Sequence, residues 1–142
     1  MFEKDDIKRL DLGGVSYPYV CDLVVLETLQ NEYGDLTEVN YGLRGFVPYK
    51  DENGVPDLSK EGTVVTPNVT MVAKAMAAMI NEGIEVTGEE LDPVTELDMK
   101  RQDDWTVFEL SAFAWTAFDR SFVPKNRRRP TKSATKTRKS TG

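Results

Sequence analysis

The 142-residue chain contains no histidine. Histidine is the most frequent general base near neutral pH and the commonest transition-metal ligand. Without it, no serine or cysteine has the usual partner that would turn it into a nucleophile. Cysteine is nearly absent as well. The single Cys21 excludes an intrachain disulfide and any Cys-based zinc knuckle, and it fits a reducing compartment. Long apolar runs are missing. The longest stretch free of charged residues, Gly62 to Ala73, falls far short of the roughly 18–20 apolar residues of a membrane span. The start, Met1-Phe2-Glu3-Lys4-Asp5-Asp6, lacks the basic head and apolar run of a signal peptide. These absences predict a soluble, non-enzymatic protein without cofactor or metal, residing in the cytoplasm where it is made.

Charge is present but unevenly placed. The formal net charge of −6 averages two opposite parts. Residues 1–124 carry 10 Lys/Arg and 24 Asp/Glu, a net −14, whereas residues 125–142 carry 8 Lys/Arg and no acid, a net +8. The length suits one domain with a tail. The expected organisation is an acidic helical domain over 1–124 and a basic tail over 125–142. The tail has no apolar residue larger than Ala134, so it cannot offset its ordering entropy and reads as disordered.

The pattern along the body predicts a small, mainly α domain opened by a β-hairpin. Gly13-Gly14 separates two short β-like runs and supplies the positive φ of a tight turn, with Pro18 expected on an edge because it lacks an N–H. Asp22 caps a helix over Leu23–Tyr33, whose stripe is Val25, Leu26, Leu29 and Tyr33, and Gly34 closes it. Asp35 and Glu38 have capping-box spacing ahead of a short helix to about Leu43, weakened by Gly42. Residues 45–65 read as loop, with Asn53-Gly54 as a turn. A third helix is expected from Pro67 to Asn81, capped by Thr66 and closed by Gly83, with Val69, Val72, Met76, Met79 and Ile80 on one face. A short helix over Val94–Arg101 and a last helix over 106–122, opened by the Thr106–Glu109 capping box, complete the pattern.

No arrangement carries catalytic chemistry. The acid pairs Asp5-Asp6, Glu89-Glu90 and Asp103-Asp104 are adjacent residues that do not face one another, and they read as surface charge. Aligning Gly54 to the sixth position of a calcium loop puts Tyr49 first and Lys60 twelfth, where acidic oxygens are required. Gly13-Gly14 has neither the lysine nor the spacing of a phosphate-binding loop. Cys21 precedes a helix start but sits beside Asp22, and it reads as a small core residue.

The last helix holds six of the thirteen aromatics: Trp105, Phe108, Phe113, Trp115, Phe118 and Phe122. Phe108 and Phe118 read as core. Phe113 and Trp115 point about 160° apart at helical spacing, more than one small domain covers. Self-association or a protein partner is therefore expected to use part of the set, with Trp105, Phe113, Trp115 and Phe122 as candidates, joined by Met71 on the third helix. The basic residues Arg127, Arg128, Arg129, Lys132, Lys136, Arg138 and Lys139 leave three readings open: a solubilising tail, phosphate contacts with nucleic acid, or docking onto the acidic body of another copy. With no aromatic in the tail, base stacking is not available to it.

Taken in order, Leu10-Asp11-Leu12-Gly13-Gly14-Val15-Ser16-Tyr17-Pro18-Tyr19, then Asp22 through Gly34, then Met71 through Gly83, the chain resembles the tail assembly chaperones of long-tailed bacteriophages. The resemblance covers about residues 7–83, and the Tyr49–Val65 loop and basic tail depart from it. It implies a helical, non-enzymatic protein of the host cytoplasm, absent from the mature virion, that coats the tape-measure protein and keeps it soluble until tail-tube subunits replace it. Two other classes fit the composition: a structural virion component such as a tail or head–tail connector protein, and a nucleic-acid-binding accessory protein acting through the basic tail.

Overall fold

A computed structural model describes residues 7–124. Asp5, Asp6 and the basic tail, including Arg127, Arg128, Arg129, Lys132, Lys136, Arg138 and Lys139, lie outside the described residues. Over the described residues the protein is a small, mainly α domain, about 50 % helical, with five helices and a two-stranded N-terminal hairpin. No described helix is long and apolar enough to cross a membrane.

Strands β1 (Lys8–Leu12) and β2 (Val15–Tyr19) pair antiparallel, with Leu10 opposite Tyr17. Gly13 and Gly14 turn the chain at φ 57° and 82°, angles that only glycine adopts freely at both positions of so tight a turn. Pro18 lies in an edge strand as its missing N–H requires, yet that edge is covered: Pro18 is fully buried. Its carbonyl rests where a Cβ on Gly83 would stand.

Helix α1 (Leu23–Tyr33) begins where the Asp22 side chain accepts from the Val25 N–H and ends at Gly34. Helix α2 (Leu36–Arg44) follows after Asp35. The Asp35 side chain accepts from the Thr37 N–H, and the reciprocal bond expected from Glu38 is not made. Gly42 has a packing reason: the Met71 sulfur occupies the space a Cβ would need.

The segment expected as loop contains a small second hairpin. Strands β3 (Phe46–Val47) and β4 (Thr63–Val64) pair, and a Lys50–Pro56 bridge lies further out. Between the bridge residues, the Asp51 side chain accepts from the N–H groups of Asn53 and Val55 and fixes the Asn53-Gly54 turn.

Helix α3 (Val69–Thr87) is the axis of the domain, with β2 and each of the other four helices packed against it. Both of its expected ends move. Asn68, not Thr66, is the cap and accepts from the Met71 N–H, and the helix continues through Gly83 to Gly88. Gly83 is inside the helix because β2 crosses there. Val72, Ala75, Met76, Met79 and Ile80 are buried. Each large aliphatic side chain so removed from water contributes roughly 1.5–3 kcal/mol before entropy. Helix α4 (Glu96–Arg101) starts two residues later than expected, behind a Thr95–Asp98 capping box. Val94 is instead held by Asn81, whose side chain bonds both its N–H and its C=O. Helix α5 (Val107–Arg120) has the expected Thr106–Glu109 box and packs on α3 and α2. The Ser111 hydroxyl, buried between them, donates to the Leu43 carbonyl.

Candidate interaction surface

Helix α5 buries Leu110, Ser111, Ala114 and Phe118, and its remaining aromatics take different roles. Trp105 and Phe113 meet edge-on with centroids 5.1 Å apart. The Trp105 indole N–H donates to the Asp11 carbonyl at 2.7 Å. Both rings are half-buried and fasten the first hairpin to α5. Trp115 is half-buried, and its indole nitrogen is enclosed without a hydrogen-bond partner among the described residues. Phe122 lies just beyond the helix, 53 % exposed, edge-on to Phe118. Two expectations are corrected. Phe108, expected in the core, is 63 % exposed because none of the described elements covers its flank of α5. Met71, expected to meet a partner, is buried in the core against Gly42, since α2 and α3 close over it.

The apolar surface around Phe122 is larger than the sequence indicated. Leu23 is 78 % exposed and Val24 55 %, at the start of α1. The signal was present: Leu23-Val24-Val25-Leu26 is four consecutive apolar residues, an arc too wide for one buried stripe. Val25 and Leu26 take the inside and leave the first two in water. Two troughs flank a ridge made by Leu36 and Phe122, which line both. One, of about 560 Å³, is bounded further by Leu23, Val24 and Glu27. The other, of about 350 Å³, is bounded by Asn40, Tyr41 and Arg44. The Arg44 guanidinium lies over the Phe46 ring at 4.8 Å.

The opposite end of α5 has a smaller hollow of about 190 Å³, walled by Val69, Met99, Trp105 and Val107. Val69 at its edge is about half exposed, and Phe108 projects from the same turn of α5 as Val107.

The perturbed ionisable groups belong to the scaffold. Burial pushes the Cys21 thiol up to about 12, although a hydrogen bond with Ser121 acts the other way. Such a thiol is a poor nucleophile. Glu82 is pushed up to about 7, first by its hydrogen bond with Asp22, then by burial and the charges of Asp22 and Glu85. Asp22 is already engaged in capping α1, and neither carboxyl lines any of the three hollows described. Among the described residues no three His, Cys, Asp or Glu side chains are grouped to hold a metal ion. The arrangement offers apolar surface with charged ends, which is suited to contact with another chain.

In comparison with known proteins, the chain matches no family model, no curated protein and no solved structure.

Proposed function

We propose that the protein is a tail assembly chaperone of a long-tailed bacteriophage, which binds helical stretches of the tape-measure protein and keeps them soluble during assembly. The observation that carries this reading is apolar side chains left in water at both ends of α5: Leu23, Val24 and Phe122 at one end, Val69 and Phe108 at the other. An extended helical client is held by many weak apolar contacts repeated along its length, not by one tight pocket. Shallow hollows with aliphatic and aromatic walls suit such a permissive grip. The order of hairpin, capped aliphatic helix and Ala/Met-rich helix supports the same family. On this reading the protein acts in the host cytoplasm and is absent from the finished particle.

The test is co-expression with the tape-measure protein encoded beside it. Soluble tape-measure protein should increase several-fold, and Phe108→Asp should reduce the gain while leaving the chaperone folded. Unchanged solubility, with both proteins folded, overturns the reading. Mass spectrometry of purified particles checks the second part, because a structural virion protein would be found there in stoichiometric amount.

A further inference from the structure

We propose that Asn53-Gly54, at the outer tip of the β3–β4 hairpin, is a site of self-modification: in the folded chain the Asn53 amide leaves as ammonia and a carboxylate takes its place, at a pace set by Asp51. The reaction concerns the chain alone and does not rest on the client reading. An asparagine side chain is attacked by the backbone nitrogen of the residue that follows it, so that residue must be small and free to turn. The sequence has six asparagines, and Gly54 is the one glycine that follows any of them. Asn31, Asn40 and Asn81 lie within helices, whose backbone hydrogen bonds hold the following nitrogen. Asn68 caps α3 and is followed by the branched Val69. Asn126, outside the described residues, is followed by the bulky Arg127. Asn53 is exposed, and among the described residues no hydrogen bond holds its side-chain amide. Nothing stands within 4 Å of the position a Cβ would take on Gly54, so the approach is open on that side.

The chemistry balances with water alone. The Gly54 nitrogen gives up its proton and bonds to the Asn53 side-chain carbonyl carbon, and the C–N bond to the amide breaks to release ammonia. Water then opens the cyclic imide at either carbonyl. One opening leaves aspartate. The other leaves isoaspartate, in which the main chain runs through the former side chain. What restrains the first step is the turn. The Gly54 N–H donates to the Asp51 carbonyl at 2.9 Å, and the Asp51 carboxylate accepts from the N–H groups of Asn53 and Val55, each at 2.9 Å. The attacking nitrogen must leave the first bond, and the Asn53 backbone must rotate against the other two. Every residue of the turn is exposed, so local opening is frequent and costs little. The reaction therefore proceeds in the folded chain, but slowly. Isoaspartate lengthens the backbone between Asp51 and Val55 and unseats the Lys50–Pro56 bridge. No residue between Lys50 and Pro56 is part of the core, so the domain stays folded.

Incubating the full chain at neutral and at mildly alkaline pH, then mapping it by peptide mass spectrometry, tests the site. The expected result is the mass gain of amide-to-acid conversion at Asn53 ahead of every other asparagine. It should rise with pH, because the attacking nitrogen must lose its proton, and isoaspartate should be among the products. The native rate should be about tenfold or more below that of the same chain in urea, where the three bonds are gone. Asp51→Ala, which removes the side-chain bonds, should speed the native reaction several-fold, with circular dichroism checking that the variant is folded. Asn53→Gln should remove the signal. An Asn53 that stays unconverted in the native chain, a native rate equal to the unfolded one, or Asp51→Ala without effect would overturn the proposal.

Discussion

Asn81 on α3 exchanges two hydrogen bonds with the backbone of Val94, both 2.8 Å: its amide donates to the Val94 carbonyl and its carbonyl accepts from the Val94 N–H. One side chain thus stands in for a paired strand and holds the acidic 88–95 connection against the core. Val94 is buried, so both backbone groups would lose their partner and find no water if Asn81 were shortened. Asn81→Ala is expected to cost about 2–4 kcal/mol. Asn81→Asp keeps the acceptor but sets a carboxylate oxygen against the Val94 carbonyl, so it should be no milder. Urea denaturation measures both.

Gly83 and Gly42 are both tight, but what crowds them differs. A Cβ at Gly83 would strike the Pro18 backbone, whereas at Gly42 it would strike the flexible end of Met71. Alanine gains roughly 1 kcal/mol of helix propensity at either site. At Gly83 the clash outweighs that gain, and Gly83→Ala should destabilise by at least about 2 kcal/mol. At Gly42 the methionine can shift, so Gly42→Ala should stay within about 1 kcal/mol of the parent. Thermal melts of the two variants should separate clearly, and equal midpoints would contradict the assignment.

The Glu82–Asp22 contact makes stability depend on pH in an unusual direction. Glu82 rises from 4.5 to about 7 on folding, so the folded chain holds a proton that the unfolded chain releases across that window. Its contribution is complete below the lower value and is lost as pH rises through the upper one. Unfolding free energy should fall between about pH 5 and pH 8. In Glu82→Gln, which carries the hydrogen without titrating, that slope should flatten. Denaturant midpoints across the range give the comparison.

Cys21 should be protected from thiol reagents while the chain is folded. A thiol raised from 9.0 to about 12 has little thiolate near neutral pH. Reaction with an aromatic disulfide at about pH 8 should be at least about a hundredfold slower in the native protein than in denaturant. Comparable rates would place Cys21 in a more open setting than the one described.

Elements with a cap, a stripe and a stop were readable from sequence. Helix α1 has Asp22, the Val25–Leu26–Leu29 stripe and Gly34, and α5 has its Thr106–Glu109 box; both lie close to their expected limits. Where a residue served a distant neighbour, local reading failed. Asn81-Glu82-Gly83 reads as a helix ending, yet Asn81 is there for Val94 and Gly83 for Pro18, and α3 runs on to Thr87. The β3–β4 pair is too short to show a period of two. Helical spacing put Phe108 with the core residues of α5 and could not show that α2 and α3 leave its flank uncovered. The same limit hid Leu23 and Val24, whose exposure depends on which half of a four-residue apolar run α3 takes.

The first hairpin is fastened along its outer edge by residues made much later. Arg9 pairs with Glu89, Asp11 accepts from Trp105, and the Gly13 N–H donates to Asp104, across 80, 94 and 91 positions of chain. During synthesis the hairpin can close its turn at once, but the first of these ties waits for Glu89 and the other two for Asp104 and Trp105. Until then that edge of the ribbon lacks these ties, and the nascent chain carries a strand pair awaiting its clasp.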